Sequence, residues 1–350
     1  MIITNWNISY EDSLELKDKI YVDIRSPLEY SSETIPGAIN LYLFTDEERR
    51  VTGETYVHQS TELAKKKGIQ FVSKRLPDLV SEILELEHRY KNIVIFCSRG
   101  GYRSKSLTGL LNSLDIKVYR LVNGYKGYRK YIRENLERLS KSIKPIVLYG
   151  NTGCGKTKIL HLLKKKDILT IDLEALANHR GSILGHVGLK EQPSQKMFES
   201  LLFEELYKYR DRWVFVEGES SKIGRINLPK SLMENMRNSY TILIKSPMEH
   251  RVSNLVEEYG QRENKTQLIA SLKKLQGYIS KENIEKLIDR IEKGELSYVA
   301  RLLCENYYDK RYKKRDHDDV LENLDEEESA NLLIKLYSIM DLVPKIMKSK

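Results

Sequence analysis

The chain has 350 residues, 40% of them hydrophobic and 31% charged, enough for two domains of ~100–200 residues, and no apolar run approaches the ~20 residues of a membrane span. Lys and Arg number 59 against 50 Asp and Glu, a formal charge of +9, which fits a polyanionic partner or a merely lysine-rich composition and does not bear on fold. Three cysteines, Cys97, Cys154 and Cys304, lie far apart and are odd in number, so neither a disulfide framework nor a CxxC metal site is offered, and an N-terminus without a secretory pattern leads us to expect a cytoplasmic protein with no membrane contact.

In chain order, "KIYVDIR" (19–25) predicts a strand, and "TIPGAINLYLF" (34–44) a Pro-Gly turn and a further strand. "RLPDLVSEILELEHRY" (75–90) places Leu79, Val80, Ile83, Leu84 and Leu86 at near-helical spacing. Strand "NIVIFC" (92–97), helix "SKSLTGLLNSL" (104–114) and strand "KVYRLVNG" (117–124) continue the alternation. A parallel sheet covered by helices follows.

Ligands of such sheets gather at the carboxyl ends of strands, where Cys97 falls. After it, Gly100 and Gly101 let successive N–H groups turn into one concavity, Arg99 and Arg103 add positive charge, and Tyr102 and Ser104 complete the loop. Such surroundings lower a thiol pKa from ~8.5, so a Cys97 thiolate near neutral pH is expected in place of a small buried hydrophobe. Loop length alone leaves sulfur and phosphate chemistry both open.

A charged helix (130–144) precedes a strand opened by Pro145, and we expect domains at 1–138, 144–246 and 247–350. The next loop is Gly150, Asn151, Thr152, Gly153, Cys154, Gly155, Lys156, Thr157. It matches GxxxxGKT between a strand and a helix, so its amides are expected to wrap phosphate, Lys156 to reach the outer phosphates and Thr157 to hold Mg²⁺ where that ion is used. Strand "DILTIDLE" carries Asp172, and strand "DRWVFVEGES" ends in Glu217 and Glu219, the place where P-loop proteins set a metal-side acid. His179, Arg180 and Arg225 are candidate phosphate contacts, with loop filler the competing reading of the first two. Beyond Ser246 strand signals fade, and helices over 246–259, 283–294 and 328–340 predict a helical C-terminal region packed on the P-loop domain. Within it "YYDKRYKKR" interleaves Tyr307 and Tyr308 with Lys310, Arg311, Lys313, Lys314 and Arg315, a composition suited to phosphate contacts and base stacking.

"VDIRSPLEY", "TIPGAIN", the Cys97 loop and "LVNGYKGYR" resemble a rhodanese-like domain, whose loop cysteine carries sulfur as a persulfide. The Cys-x5-Arg length is that of dual-specificity phosphatases on the same fold, although Phe96 stands where those usually have histidine. "LFTDEERRVTGETYVHQS", "CSRGGYRS", "DLEALANHRGSILG", "EQPSQKMFESLL" and "VEGESSKIGRINLP" together closely resemble the tRNA 2-selenouridine synthases over nearly the whole chain. The resemblance implies an enzyme acting on tRNA with 2-thiouridine at the wobble position, which is S-geranylated with geranyl diphosphate and then exchanged to 2-selenouridine with selenophosphate. By analogy residues 150–157 would hold the prenyl diphosphate and Cys97 would serve the selenium step, with no tightly bound cofactor and a selenophosphate supplier as a further partner. The competing expectations are an ATP-dependent tRNA sulfurtransferase with a persulfide on Cys97, a binding module with an inactive P-loop, and a cysteine phosphatase.

Overall fold

The computed structural model describes residues 6–261, 264–312 and 316–348, with side chains as far as Met340. The chain divides into two compact units, residues 1–136 with 199–201, and residues 137–198 with 202–350.

In the first unit the order is β1 (Asn7–Ile8), α1 (Tyr10–Leu14), β2 (Lys19–Asp23), α2 (Pro27–Ser32), β3 (Ile39–Asn40), α3 (Asp46–His58), α4 (Thr61–Glu87), β4 (Asn92–Phe96), α5 (Tyr102–Ser113) and β5 (Val118–Leu121). Helix α6 (Gly124–Ser142) then carries the chain into the second unit. The strands lie in the order β1-β5-β4-β2-β3, every pair parallel. β4 is central, and Ile93 to Phe96 are buried because a parallel sheet is covered on both faces. Just past the end of β2 a buried pair fixes the neighbouring loop: Arg25 Nη2 lies 2.6 Å from Asp23 Oδ2, and its guanidinium stands 4.1 Å from the Tyr125 ring centroid. The helix expected from residue 75 begins at Thr61, where the Ser60 hydroxyl accepts from Leu63 N, and it contains Pro77. The strand expected over 34–44 is only two residues long.

The second unit contains β6 (Lys144–Tyr149), α7 (Lys156–Lys165), β7 (Thr170–Ile171), α8 (Leu173–Ala177), α9 (Gln195–Lys208), β8 (Trp213–Glu217), β9 (Lys222–Ile223), β10 (Ile226–Asn227) and α10 (Lys230–Arg237). There follow β11 (Tyr240–Lys245), α11 (Met248–Tyr259), α12 (Lys265–Lys273), α13 (Lys281–Glu292), α14 (Leu296–Leu303), β12 (Asp319–Glu322) and α15 (Glu326–Lys348). Its sheet, β12-β11-β6-β8-β7, is also parallel throughout. β12 falls where the sequence shows no strand signal. It is an edge strand with three of its four residues exposed, so no apolar alternation was required of it. Among the described residues no helix is long and apolar enough to cross a membrane.

α15 is part of the sheet's core: Ala330, Leu333 and Tyr337 pack with Ile159, Leu160 and Leu163 of α7. Leu333 is 3% exposed, so Leu333→Ala is expected to cost about 2–5 kcal/mol. Urea unfolding followed by Trp213 fluorescence, with Trp6 replaced by Phe, should show the lower midpoint; an unchanged midpoint would remove α15 from the core.

Candidate functional site

Each unit places one loop at the carboxyl edge of its sheet. In the first, β4 ends at Phe96 and Cys97 opens the turn into α5, so the thiol sits where that helix leaves its first N–H groups unpaired. The loop is held from behind by the start of α6, where Tyr125 N donates to Cys97 O at 2.9 Å and Lys126 N to Ser98 O at 2.9 Å, and by β5, where Arg120 Nη1 donates to Gly100 O at 2.6 Å. Gly100 has φ 64°, and a Cβ there would lie 2.8 Å from Asn123 N, so only glycine lets the loop pass this close. Cys97 is 3% exposed, with Sγ 3.2 Å from Ser104 Oγ. Arg103 Nη1 lies 3.2 Å from Glu29 Oε2, while Arg99, Gly101 and Tyr102 face solvent. Burial pushes the thiol pKa up, but the Ser104 hydroxyl, the Arg103 charge and the N–H groups of Ser104 and Arg99 outweigh it and hold it below the ordinary value. The loop therefore gathers N–H groups and the Arg103 charge around a thiol of lowered pKa.

In the second unit residues 150–157 lead from β6 into α7. Lys156 Nζ donates to Gly150 O at 2.8 Å, and the Cys154 side chain is buried in the sheet's core. Burial would lower the Lys156 pKa, yet Cys154, Tyr312, Glu219 and Glu174 raise it, so its charge is secure. The loop is braced by residues far along the chain. Arg251 of α11 donates from Nε to Thr152 O at 3.0 Å and grips Asp309 through both terminal nitrogens at 2.9 and 2.6 Å, while Asn151 Nδ2 donates to Asp309 Oδ1 at 3.0 Å. Asn254 Nδ2 holds Gly153 O at 3.0 Å and Asn323 Nδ2 holds Cys154 O at 2.9 Å. Thr152 Oγ1 meets the Tyr312 hydroxyl at 3.1 Å.

Four carboxyls gather on the other side of the cradle. Asp172 and Glu217 come from the ends of β7 and β8; Glu174 and Glu219 converge on Gly181, where an added Cβ would lie 2.4 Å from Glu174 and 2.8 Å from Glu219. Thr157 Oγ1 reaches Glu174 Oε2 at 3.4 Å, and Glu174 N donates to Glu217 Oε1 at 2.6 Å. Burial and then the neighbouring acids push Glu174 and Glu217 well above the usual carboxylate range; burial also raises Glu219, against the pull of Lys156. Asp172 goes the other way, because His161 at 2.9 Å and the Ala175 N–H outweigh its burial. Glu174 was not singled out from sequence, although its position two residues after Asp172 at a strand end is the signal that could have found it. Arg251 and Asp309 carry no such signal.

Of these residues Lys156, Thr157, Asp172, Glu174 and Glu219 border a cleft of about 1110 Å³, while Glu217 and Arg251 lie outside its lining. His179 lines it, 6% exposed with Nδ1 unpartnered, and burial, then His186 and Arg180, push its pKa down to about 4, so it is neutral at physiological pH. Arg180 also lines it, but is committed to Glu258 Oε1 at 2.7 Å and Val187 O at 2.7 Å. Arg225 is turned away to Glu191 at 2.9 Å and does not border the cleft, a correction to its expected phosphate contact. Tyr307 and Tyr308 correct a second expectation. They are 4% and 6% exposed and pack with Val299, Leu303 and Cys304, because the helical stripe 299, 300, 303, 304, 307, 308 turns them inward, so their faces are not open for stacking on RNA. Arg311 lies 4.1 Å over the exposed Tyr278 ring and Lys310 is exposed; Lys313, Lys314 and Arg315 lie outside the described residues.

A strand, an anion loop with an activated thiol and a helix define the rhodanese-like class, and a strand, GxxxxGKT and a helix define the P-loop class; the chain joins one of each. The family models agree: residues 9–131 match the rhodanese-like domain and residues 143–332 match the tRNA 2-selenouridine synthase AAA domain. The tRNA 2-selenouridine synthase of Nitrosomonas europaea is 35% identical over 262 residues, covering 73% of this chain and 68% of the relative. That of a Sulfurovum species is 31% identical over 302 residues, covering 85% and 81%. A solved N-terminal domain from Clostridium difficile 630, described as part of an ATP/GTP-binding protein, is 42% identical and covers 36% of this chain and 98% of its own, at a TM-score of 0.36. The chain belongs to the tRNA 2-selenouridine synthase family and is a tRNA-modifying enzyme.

Because hydrogen bonding from Ser104 and charge from Arg103 lower the Cys97 pKa, Ser104→Ala and Arg103→Ala are each expected to move the pH midpoint of Cys97 alkylation by iodoacetamide upward. Subtracting the Cys97→Ser rate isolates this thiol; an unmoved midpoint in both variants would disprove the assignment.

Proposed function

We propose that the two loops carry successive steps on one nucleobase: the P-loop cleft S-alkylates wobble 2-thiouridine with geranyl diphosphate, and the Cys97 cradle exchanges sulfur for selenium with selenophosphate. The observation that carries the first step is the cleft's mixed lining. Lys156 and Thr157 offer a diphosphate head its charge and hydroxyl, while Ile183, Leu189, Tyr259 and Tyr308 border the same space. A ligand with a polyanionic end and an apolar tail suits such a cleft. Sulfur attacks the carbon bearing the diphosphate; the C–S bond forms, the C–O bond breaks, and the N3 proton of the base leaves. Lys156 and the loop amides stabilise the departing diphosphate. Mg²⁺ fits as a helper, since the Thr157 hydroxyl and Glu174 Oε2 stand 3.4 Å apart on the cleft wall. Thr157 and Glu174 would hold it, and it would neutralise diphosphate charge. Among the described residues no group of three or more His, Cys, Asp or Glu forms a cage of its own, which leaves ligand phosphates to complete the shell.

Alkylation makes the sulfur a leaving group. In the second step selenium from selenophosphate bonds to C2 of the base, the C–S bond breaks with loss of geranyl thiol, and water takes the phosphoryl group. The cradle around Cys97, with Arg99, Arg103 and the loop amides, suits a phosphate-sized group, and its thiolate is placed to attack phosphorus: an S–P bond forms as the Se–P bond breaks, selenium leaves as selenide toward C2, and water then hydrolyses the S–P bond and frees the thiol. A diphosphate donor brings its own leaving group, so the P-loop acts without hydrolysing ATP.

Mass spectrometry of nucleosides from 2-thiouridine tRNA tests both steps. Purified protein with geranyl diphosphate and selenophosphate, and no nucleotide, is expected to yield 2-selenouridine; an absolute need for ATP would favour the sulfurtransferase instead. Lys156→Ala is expected to lose both products, by on the order of 10²-fold or more if its transition-state contact resembles a lost oxyanion donor. Cys97→Ser is expected to accumulate S-geranyl-2-thiouridine and make no selenouridine; loss of both products would place Cys97 before the alkylation.

A further inference from the structure

The Cys97 thiol is 3% exposed, so a tRNA base reaches it only across those loop residues that face solvent. Gly100 and Ser104 are buried and Arg103 is held by Glu29, which leaves Arg99, Gly101 and Tyr102 as that face. Tyr102 opens α5 with 63% of its surface exposed. Lys65, on α4, places its ammonium 4.8 Å from the Tyr102 ring centroid, and Ile69, one turn further along the same helix, is 70% exposed. Lys105 follows Tyr102 by one turn of α5 and is exposed. Among the described residues none of Lys65, Arg99 and Lys105 forms an ion pair. A single exposed aromatic is ordinary. One with a lysine ammonium against its ring, and with the unpaired Arg99 and Lys105 three residues to either side in the chain, beside a buried thiol, has the makeup by which single-stranded nucleic acid is held, base on ring and phosphate on cation.

We propose that Tyr102 is a stacking platform for a base of the tRNA anticodon loop, with Lys65, Arg99 and Lys105 receiving the adjoining phosphates. RNA is favoured over a protein partner by charge complementarity: the cations are unpaired and no carboxylate answers them. The proposal rests on the reading that Cys97 acts on tRNA. It adds the surface that delivers the base, with Lys65 in the part of α4 that precedes residue 75.

The test uses the full-length chain and a fluorescent anticodon stem–loop carrying 2-thiouridine, with anisotropy measured over a range of salt. Tyr102→Ala is expected to weaken binding about five- to a hundredfold, the worth of one stacked base. Tyr102→Phe, which keeps the ring, is expected to bind as wild type. Lys65→Ala should weaken binding of any loop sequence and flatten the salt dependence by about 0.7 in log–log slope. Cys97 alkylation in the Tyr102 variants reports that the loop is intact. An unchanged Kd for Tyr102→Ala would overturn the proposal. So would a loss confined to the KM for selenophosphate, which would make Tyr102 a donor contact, or a loss seen only when a protein delivers the donor. Tyr102-dependent binding by a wild type that makes neither alkylated nor selenated nucleoside would uphold the surface and sink the chemical reading instead.

Discussion

A parallel strand that ends at the buried edge of a sheet must turn into its covering helix within a few residues, and the first N–H groups of that helix have no partner in the chain. Both sites are consequences of this one constraint. After β4 the turn is closed by Gly100 and floored by Cys97; after β6 it is the eight-residue loop ending at Thr157. In each case the orphan donors converge on the concave side of the loop, and the side chain set there differs, a thiol in the first and an ammonium in the second.

The two cradles differ in how they are held open. The Cys97 loop is fixed from helix α6, through main-chain bonds from Tyr125 and Lys126 to Cys97 and Ser98. The P-loop depends on charge. Arg251 is almost wholly buried and joins Thr152 to Asp309, so the loop's shape rests on a guanidinium whose removal would leave a carboxylate unpaired beside the phosphate position. Opposite it, Glu174, Glu217 and Glu219 are pushed toward their neutral forms and Lys156 stays charged. This balance keeps the cleft from being strongly anionic.

What could be read from sequence was what repeats or what is rigidly spaced. "NIVIF", "PIVLY" and "WVFVE" announce buried parallel strands because both of their faces must be apolar, and the GKT loop announces itself by spacing. β12 was not legible, since an edge strand needs no pattern. The Arg251–Asp309 brace was not either: 58 residues separate the partners and no local rule relates them. Tyr307 and Tyr308 were misread for an instructive reason. Their cationic neighbours suggested a surface, while the helical period running on from Val299 had already assigned them to the core.

The bond from Asn323 to Cys154 spans 169 residues, and Asn323 is itself fixed by Ser329 at the start of α15. The P-loop is thus shaped by a segment that lies well after it in the chain. Through most of its own synthesis the second unit has its central strand, β6, flanked by β8 and β11 but lacks both the edge strand and the helix that seat the cradle. Pairings of such sequence separation form slowly, and the earlier unit can fold as it emerges. The seat of the loop is therefore completed only after Asn323 and α15 have been made, well after the loop itself.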